Sequence, residues 1–299
     1  MSNTFRKVKW ELDTVRGNDY GFRRDIKLPR ARRLAGLGEI EHQFGTTSRV
    51  EVSNERHFYL HEPLNFGRSK RVPLLVVFHG SRGNALYMAL EITRWIERTP
   101  ELGDFIIAFG QAEISPYHQV DPIVAAADPG NEYAWMHPFY GITFGERYWE
   151  IRDYEPKFQQ DVAYAREIVE TVEQGYNIDP SRKLYLGHSN GGVFCLQLMI
   201  HEPNLFTAYC SHMGGIGYDP NFIIDFDAIK QEDKKPLLLV TGDKDVHLTA
   251  CLQAKEIFEN EEFPSVEIII QEDLEHIYRP AAEPAIWEWF LEVTKHLVN

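Results

Sequence analysis

The feature that most narrows what this chain can fold into is a six-residue turn, Gly187-His188-Ser189-Asn190-Gly191-Gly192. It ends the apolar, strand-like run 183–187 (KLYLG) and leads into a helical pattern over 191–201. A G-x-S-x-G sequence between strand and helix is the pattern of a nucleophile elbow. A turn this sharp forces the serine into a strained backbone conformation, so the positions two before and two after it must be glycine or very small. The helix that follows aims its N-terminal N–H groups and positive dipole end at the same spot. Ser189 is therefore the candidate nucleophile.

A serine hydroxyl attacks poorly unless a base takes its proton. In sites of this kind the partners follow in the order serine, acid, histidine. Thr241-Gly242-Asp243-Lys244-Asp245 comes just past the apolar run 237–240, and Glu272-Asp273-Leu274-Glu275-His276 just past 266–270. His276 is the expected general base, because of twelve histidines it alone lies between the last predicted strand and the last predicted helix. Asp243 and Asp245 both lie in the acid turn, and only one can orient the imidazole. Asp245 is favoured because the turn carries it further from the strand end toward His276, leaving Asp243 to cap the turn through its own backbone.

Attack on an acyl carbonyl places negative charge on oxygen, which pre-placed N–H donors stabilise. One expected donor is the backbone N–H of Asn190, directly after the nucleophile. The other is the N–H of Ser81, in the loop His79-Gly80-Ser81-Arg82-Gly83 that follows the strand-like run 72–79. Gly80 permits close approach there, and His79 is read as a support of the loop rather than a proton carrier.

The surrounding pattern is α/β. Runs 72–79, 105–109, 183–187, 236–241 and 266–270 read as buried strands. Helical patterns fall at about 85–98, 156–175, 191–201, 249–261 and 281–297, with residues 177–180 (NIDP) stopping the second of them. Alternation of the two predicts a mostly parallel central sheet with helices on both faces. Residues 38–44, 49–52 and 56–61 read as antiparallel strands feeding its edge. The stretch 111–155 has no period but is dense in aromatics, Tyr133 and Trp135 among them. It is expected to lie over the carboxyl ends of the strands, where open α/β sheets place their ligands. Trp135, Tyr133 and His188 are the expected substrate contacts, with His118, His137 and His212 as further pocket candidates.

Charge excludes some partners. The net charge of −14 makes nucleic acid and anionic membrane surfaces poor ones. Residues 1–48 run against that balance, with Arg23, Arg24, Arg30, Arg32 and Arg33 interrupted by Glu11, Asp13, Asp19 and Asp25. The acids do not suit a transit peptide, so 1–48 is read as a basic extension packed on or beside a catalytic domain spanning 49–299. No apolar run reaches the 18 or so residues of a spanning helix, and no signal-like segment is visible, so a cytoplasmic location is expected. Three cysteines without CxxC spacing suggest buried thiols rather than a disulfide framework or zinc site. No metal or other cofactor is expected. His57 and His61 fall in a strand-like segment and are read as surface residues. Gly214-Gly215-Ile216-Gly217 lacks dinucleotide-loop spacing and reads as a turn near the site.

The assembled motifs resemble those of the polyhydroxybutyrate depolymerase and feruloyl-esterase branch of the α/β-hydrolases. The resemblance covers about 50–297 and rests on VVFHGSRGN (76–84), NIDPSRKLYLGHSNGG (177–192), TGDKD (241–245), LEHIY (274–278) and the mid-chain Trp135. It implies the α/β-hydrolase fold and hydrolysis of carboxylic esters through an acyl-enzyme, on short hydroxyacyl, acetyl or hydroxycinnamoyl esters, free or on a polymer. The chain departs from secreted members in lacking the usual disulfides and in carrying Ser81 where many have cysteine. A prolyl-oligopeptidase-like peptidase and an acyltransferase use the same three groups and remain alternatives, as does a ligand receptor on the same fold.

Overall fold

The computed structural model describes residues 7–9, 39–42, 45–53, 56–64, 70–80, 85, 88–89, 92, 103–112, 154–216, 226, 229–276 and 283–295. Ser81, His118, Tyr133, Trp135, His137 and most of the aromatic stretch 111–155 lie outside them.

Among the described residues, ten strands form one sheet: β1 (Lys7–Lys9), β2 (Glu39–His42), β3 (Gly45–Glu51), β4 (His57–Pro63), β5 (Val72–Phe78), β6 (Ile106–Gly110), β7 (Ile178–His188), β8 (Ala208–His212), β9 (Leu237–Gly242) and β10 (Val266–Gln271). Their order is β1-β2-β3-β4-β6-β5-β7-β8-β9-β10. From β6 to β10 all neighbours are parallel, whereas β2, β3, β4 and β6 pair antiparallel in turn. The predicted mostly parallel sheet is thus present. β1 and β2 bring two pieces of the basic first 48 residues into its edge.

The parallel strands are apolar on both faces because both faces are covered. On β5, Leu74, Val76 and Phe78 enter one core cluster while Leu75 and Val77 enter the other. The first cluster is completed by α1 (Tyr154–Gly175), α2 (Asn190–His201) and α3 (Leu248–Asn260), through Phe158, Val162, Phe194, Leu198 and Phe258. The second is completed by α4 (Glu283–Lys295), through Ile286, Trp287 and Phe290, and by Ala85, Met88, Ala89 and Ile92, which recur at helical spacing. Burying each large apolar side chain contributes about 1.5–3 kcal/mol, so the doubly covered strands form a rigid base for whatever sits at their ends. No described helix is long and apolar enough to cross a membrane.

Three sequence expectations change here. β8 lacks the Val/Ile signature of a buried strand (AYCSH) and was not expected, yet it sits between β7 and β9 with all five residues buried. β7 begins earlier than the expected run 183–187: it starts at Ile178, so Pro180 falls inside it, where pairing jumps from Val72↔Ile178 to Leu74↔Lys183. That irregularity accommodates a proline with no N–H to give, and the Asp179 carboxylate closes it by accepting from Ser181 and Arg182. His61 is not a surface residue but is 1% exposed, because β4 is an interior strand paired on both sides. His57 on the same strand is partly buried, and burial lowers its pKa to about 4.

Candidate active site

The site forms where β7, β9 and β10 end. Ser189 follows the last residue of β7 and holds φ 53° and ψ −115°, in the left-handed half of backbone space that a serine rarely enters. The glycines make this turn possible. A Cβ on Gly187 would stand 2.0 Å from the Gly191 carbonyl oxygen, and one on Gly191 would meet the Phe78 oxygen at 2.5 Å. The Ser189 N–H donates to the His212 carbonyl at 2.7 Å, which ties the turn to β8. In Gly187→Ala the clash is with backbone that cannot rotate away. It is expected to destabilise the protein by about 3 kcal/mol or more, at the upper end of overpacking penalties. A urea midpoint equal to wild type would contradict that reading of the elbow.

From this turn the Ser189 Oγ lies 2.8 Å from His276 Nε2. On the far side of the ring, His276 Nδ1 lies 2.8 Å from Asp245 Oδ1. The three side chains come from segments up to 87 residues apart. Their meeting follows from the parallel sheet, which delivers the ends of β7, β9 and β10 to the same rim.

Asp245 is tightly held. Its Oδ1 also accepts the His247 N–H at 2.8 Å, and its Oδ2 accepts the Thr241 hydroxyl at 3.1 Å. Burial pushes its pKa up, but hydrogen bonding and charge from His276, with the His247 N–H, outweigh this and leave it below the ordinary carboxylate range. Asp243 has a different task from the one expected. Its carboxylate accepts the Leu274 N–H at 3.2 Å, and Lys244 pairs with Asp273. Together they lash the acid turn to the histidine turn, across the two strand ends rather than within one.

Other imidazoles crowd His276. His188 is 5% exposed, lies 2.9 Å from His212 (Nδ1 to Nδ1) and stacks on His276 at 6.1 Å between centroids. His212 is fully buried and so does not line an open pocket. His247, which sequence reasoning missed, meets the His276 ring edge-on at 4.8 Å. Its only signal was adjacency to the acid turn. Burial drives the pKa of His188 well down and that of His212 to about 3, while burial and then nearby His276 lower that of His247. Among the described residues, the Asp245 carboxylate is the charge at hydrogen-bond distance from His276.

Asn190 opens α2 and is 6% exposed. Gly80 abuts Ser189, since a Cβ built on it would stand 2.9 Å from Ser189 Cβ. Among the described residues no group of three or more His, Cys, Asp or Glu side chains is placed to hold a metal ion. Cys195, Cys210 and Cys251 are free and buried.

Comparisons with known proteins agree with this architecture. Residues 50–258 match the Esterase family model, described as "Putative esterase". An uncharacterized hydrolase, R843, of Acanthamoeba polyphaga mimivirus is 26% identical over 274 residues, covering 84% of this chain and 80% of the relative. Among solved structures, Arabidopsis thaliana SOBER1 superposes with a TM-score of 0.58 at 16% identity, over 75% of this chain and 99% of that one. A ferulic acid esterase superposes with a TM-score of 0.59 at 14% identity, over 85% and 99%. At such identities the likeness establishes the fold alone, and that fold is the α/β-hydrolase fold.

Proposed function

The chain belongs to the Esterase family and so is an ester-hydrolysing enzyme, and from that premise we propose that it works as a serine esterase with Ser189, His276 and Asp245 as its catalytic triad. The observation that carries this reading is the unbroken line Ser189 Oγ–His276 Nε2–Asp245 Oδ1, with 2.8 Å at each step.

In this mechanism His276 takes the proton as Ser189 Oγ bonds to the ester carbonyl carbon. The carbonyl π pair moves onto oxygen, giving a tetrahedral oxyanion. Asp245 keeps the imidazole in the tautomer that presents a bare Nε2, and stabilises the imidazolium once formed. Backbone N–H groups of Asn190 and Ser81 are proposed to receive the oxyanion. Collapse expels the alcohol, which takes its proton from His276 and leaves an acyl-Ser189. Water, activated by the same imidazole, then releases the acid. The proposed substrates are short hydroxyacyl, acetyl or hydroxycinnamoyl esters, with Trp135, Tyr133 and His188 as the substrate contacts. No cofactor takes part in this scheme.

Treatment with a fluorophosphonate followed by peptide mass mapping tests the assignment. The adduct is expected on Ser189, with a matched ester turned over far faster than the anilide of the same acid. An adduct on another residue, or none, overturns the nucleophile; an anilide cleaved as fast as the ester overturns the esterase reading.

A further inference from the structure

We propose that Gln111 is a positioning residue for the reaction, a staple that holds Ala85 directly and, through Ala112 and His79, the Gly80 that abuts Ser189. This rests on the reading of Ser189 as nucleophile. The chain leaves β5 at His79 and Gly80, and Gly80 lies against Ser189. Ala85 is buried in the second core cluster.

One side chain connects the two. Gln111 Oε1 accepts the Ala85 N–H at 3.0 Å. Gln111 Nε2 donates to the Ala112 carbonyl at 3.0 Å and stands 3.4 Å from His79 Nε2. That histidine nitrogen also accepts the Ala112 N–H at 3.1 Å, which makes it the unprotonated one. Nδ1 therefore carries the hydrogen and donates to the Gly80 carbonyl at 2.7 Å. The ring stays neutral, because complete burial lowers its pKa to about 4. Gln111 thus grips Ala85 directly and Gly80 through Ala112 and His79.

The backbone of Gln111 is anchored in turn. Its N–H donates to the Tyr164 hydroxyl at 3.0 Å, and that hydroxyl donates to the His57 carbonyl at 2.6 Å. Its carbonyl accepts from Arg56 Nη2 at 3.3 Å. The Arg56 guanidinium lies 3.6 Å over the Tyr164 ring and is paired with Asp161 at 2.8 Å. Both charges are at least nine-tenths buried, and breaking such a pair is costly. The clamp therefore has a stiff footing on β4, β6 and α1. A side chain needed only to fill space would not require hydrogen bonds to both the Ala85 N–H and the Ala112 carbonyl.

Groups that receive developing charge act by being held in place, and a misplacement of about 1 Å can cost roughly 100-fold in rate. The test uses Gln111→Met, which keeps volume but removes both bonds, and Gln111→Glu, which keeps the acceptor for Ala85. Rates are normalised to active sites titrated with a fluorophosphonate, so partial unfolding does not register as slow chemistry. For Gln111→Met, kcat per titrated site is expected to fall roughly 100-fold with KM within about threefold. Affinity for a trifluoromethyl ketone, whose adduct mimics the oxyanion, falls in step with kcat/KM. Gln111→Glu falls between this variant and wild type, and decides the question if Gln111→Met does not fold. Wild-type kcat per site in whichever variant folds, or a loss confined to KM, overturns the staple while Ser189→Ala remains inactive. Turnover retained in Ser189→Ala overturns the nucleophile reading and the staple with it.

Discussion

Ser189→Ala is expected to lower turnover by several orders of magnitude, up to about 10⁶-fold, and to leave the fold unchanged. The size follows from the role proposed for the hydroxyl: in that mechanism it is the atom that bonds to the substrate, and it lies 2.8 Å from His276 Nε2. Stability should survive because the strain of this position lies in its backbone, at φ 53°, and alanine inherits that strain without adding a contact. The measurement pairs steady-state rates on an activated ester with a urea unfolding midpoint. A loss of only a few fold would show that a different group carries the reaction.

Asp245→Asn is expected to lower kcat by about 10⁴-fold, the scale of losing the correct imidazole tautomer. The amide presents either an oxygen or an N–H to His276 Nδ1. With Thr241 and the His247 N–H competing for the oxygen, the arrangement that protonates Nδ1 is no longer enforced. Asp243→Asn is the matched control. Its carboxylate accepts the Leu274 N–H, a bond that an asparagine oxygen can also make, so activity should stay within about threefold of wild type. The reverse ranking of the two variants would reassign the acid.

Much of the site was readable along the chain because its elements are local. The elbow needs glycine at 187 and 191 for steric reasons that any strand–turn–helix of this sharpness imposes, so the letters alone mark Ser189. The choice of Asp245 over Asp243 rested on reach, and the distances follow the same logic. What Asp243 does was misjudged, because its partner Leu274 is 31 residues away and belongs to another strand end. β8 escaped notice for a related reason. Its five residues, Ala208–His212, carry little strand propensity of their own and are held by pairing to β7 and β9 on either side.

The histidines mark the boundary most plainly. Sequence spacing set His276 apart, yet it could not say that His188, His212 and His247 would gather around it, nor that His61 would be buried. Burial depends on which strands become interior, and that is decided by the sheet order rather than by any neighbour in the chain. The same holds for Gln111, an ordinary polar residue at a strand end. Backbone turns and glycine requirements are short-range properties, so the amino-acid sequence by itself determined them. The partners of buried polar groups are long-range properties, and only the tertiary structure, by bringing β4, β5, β6 and α1 together, decided what those groups hold.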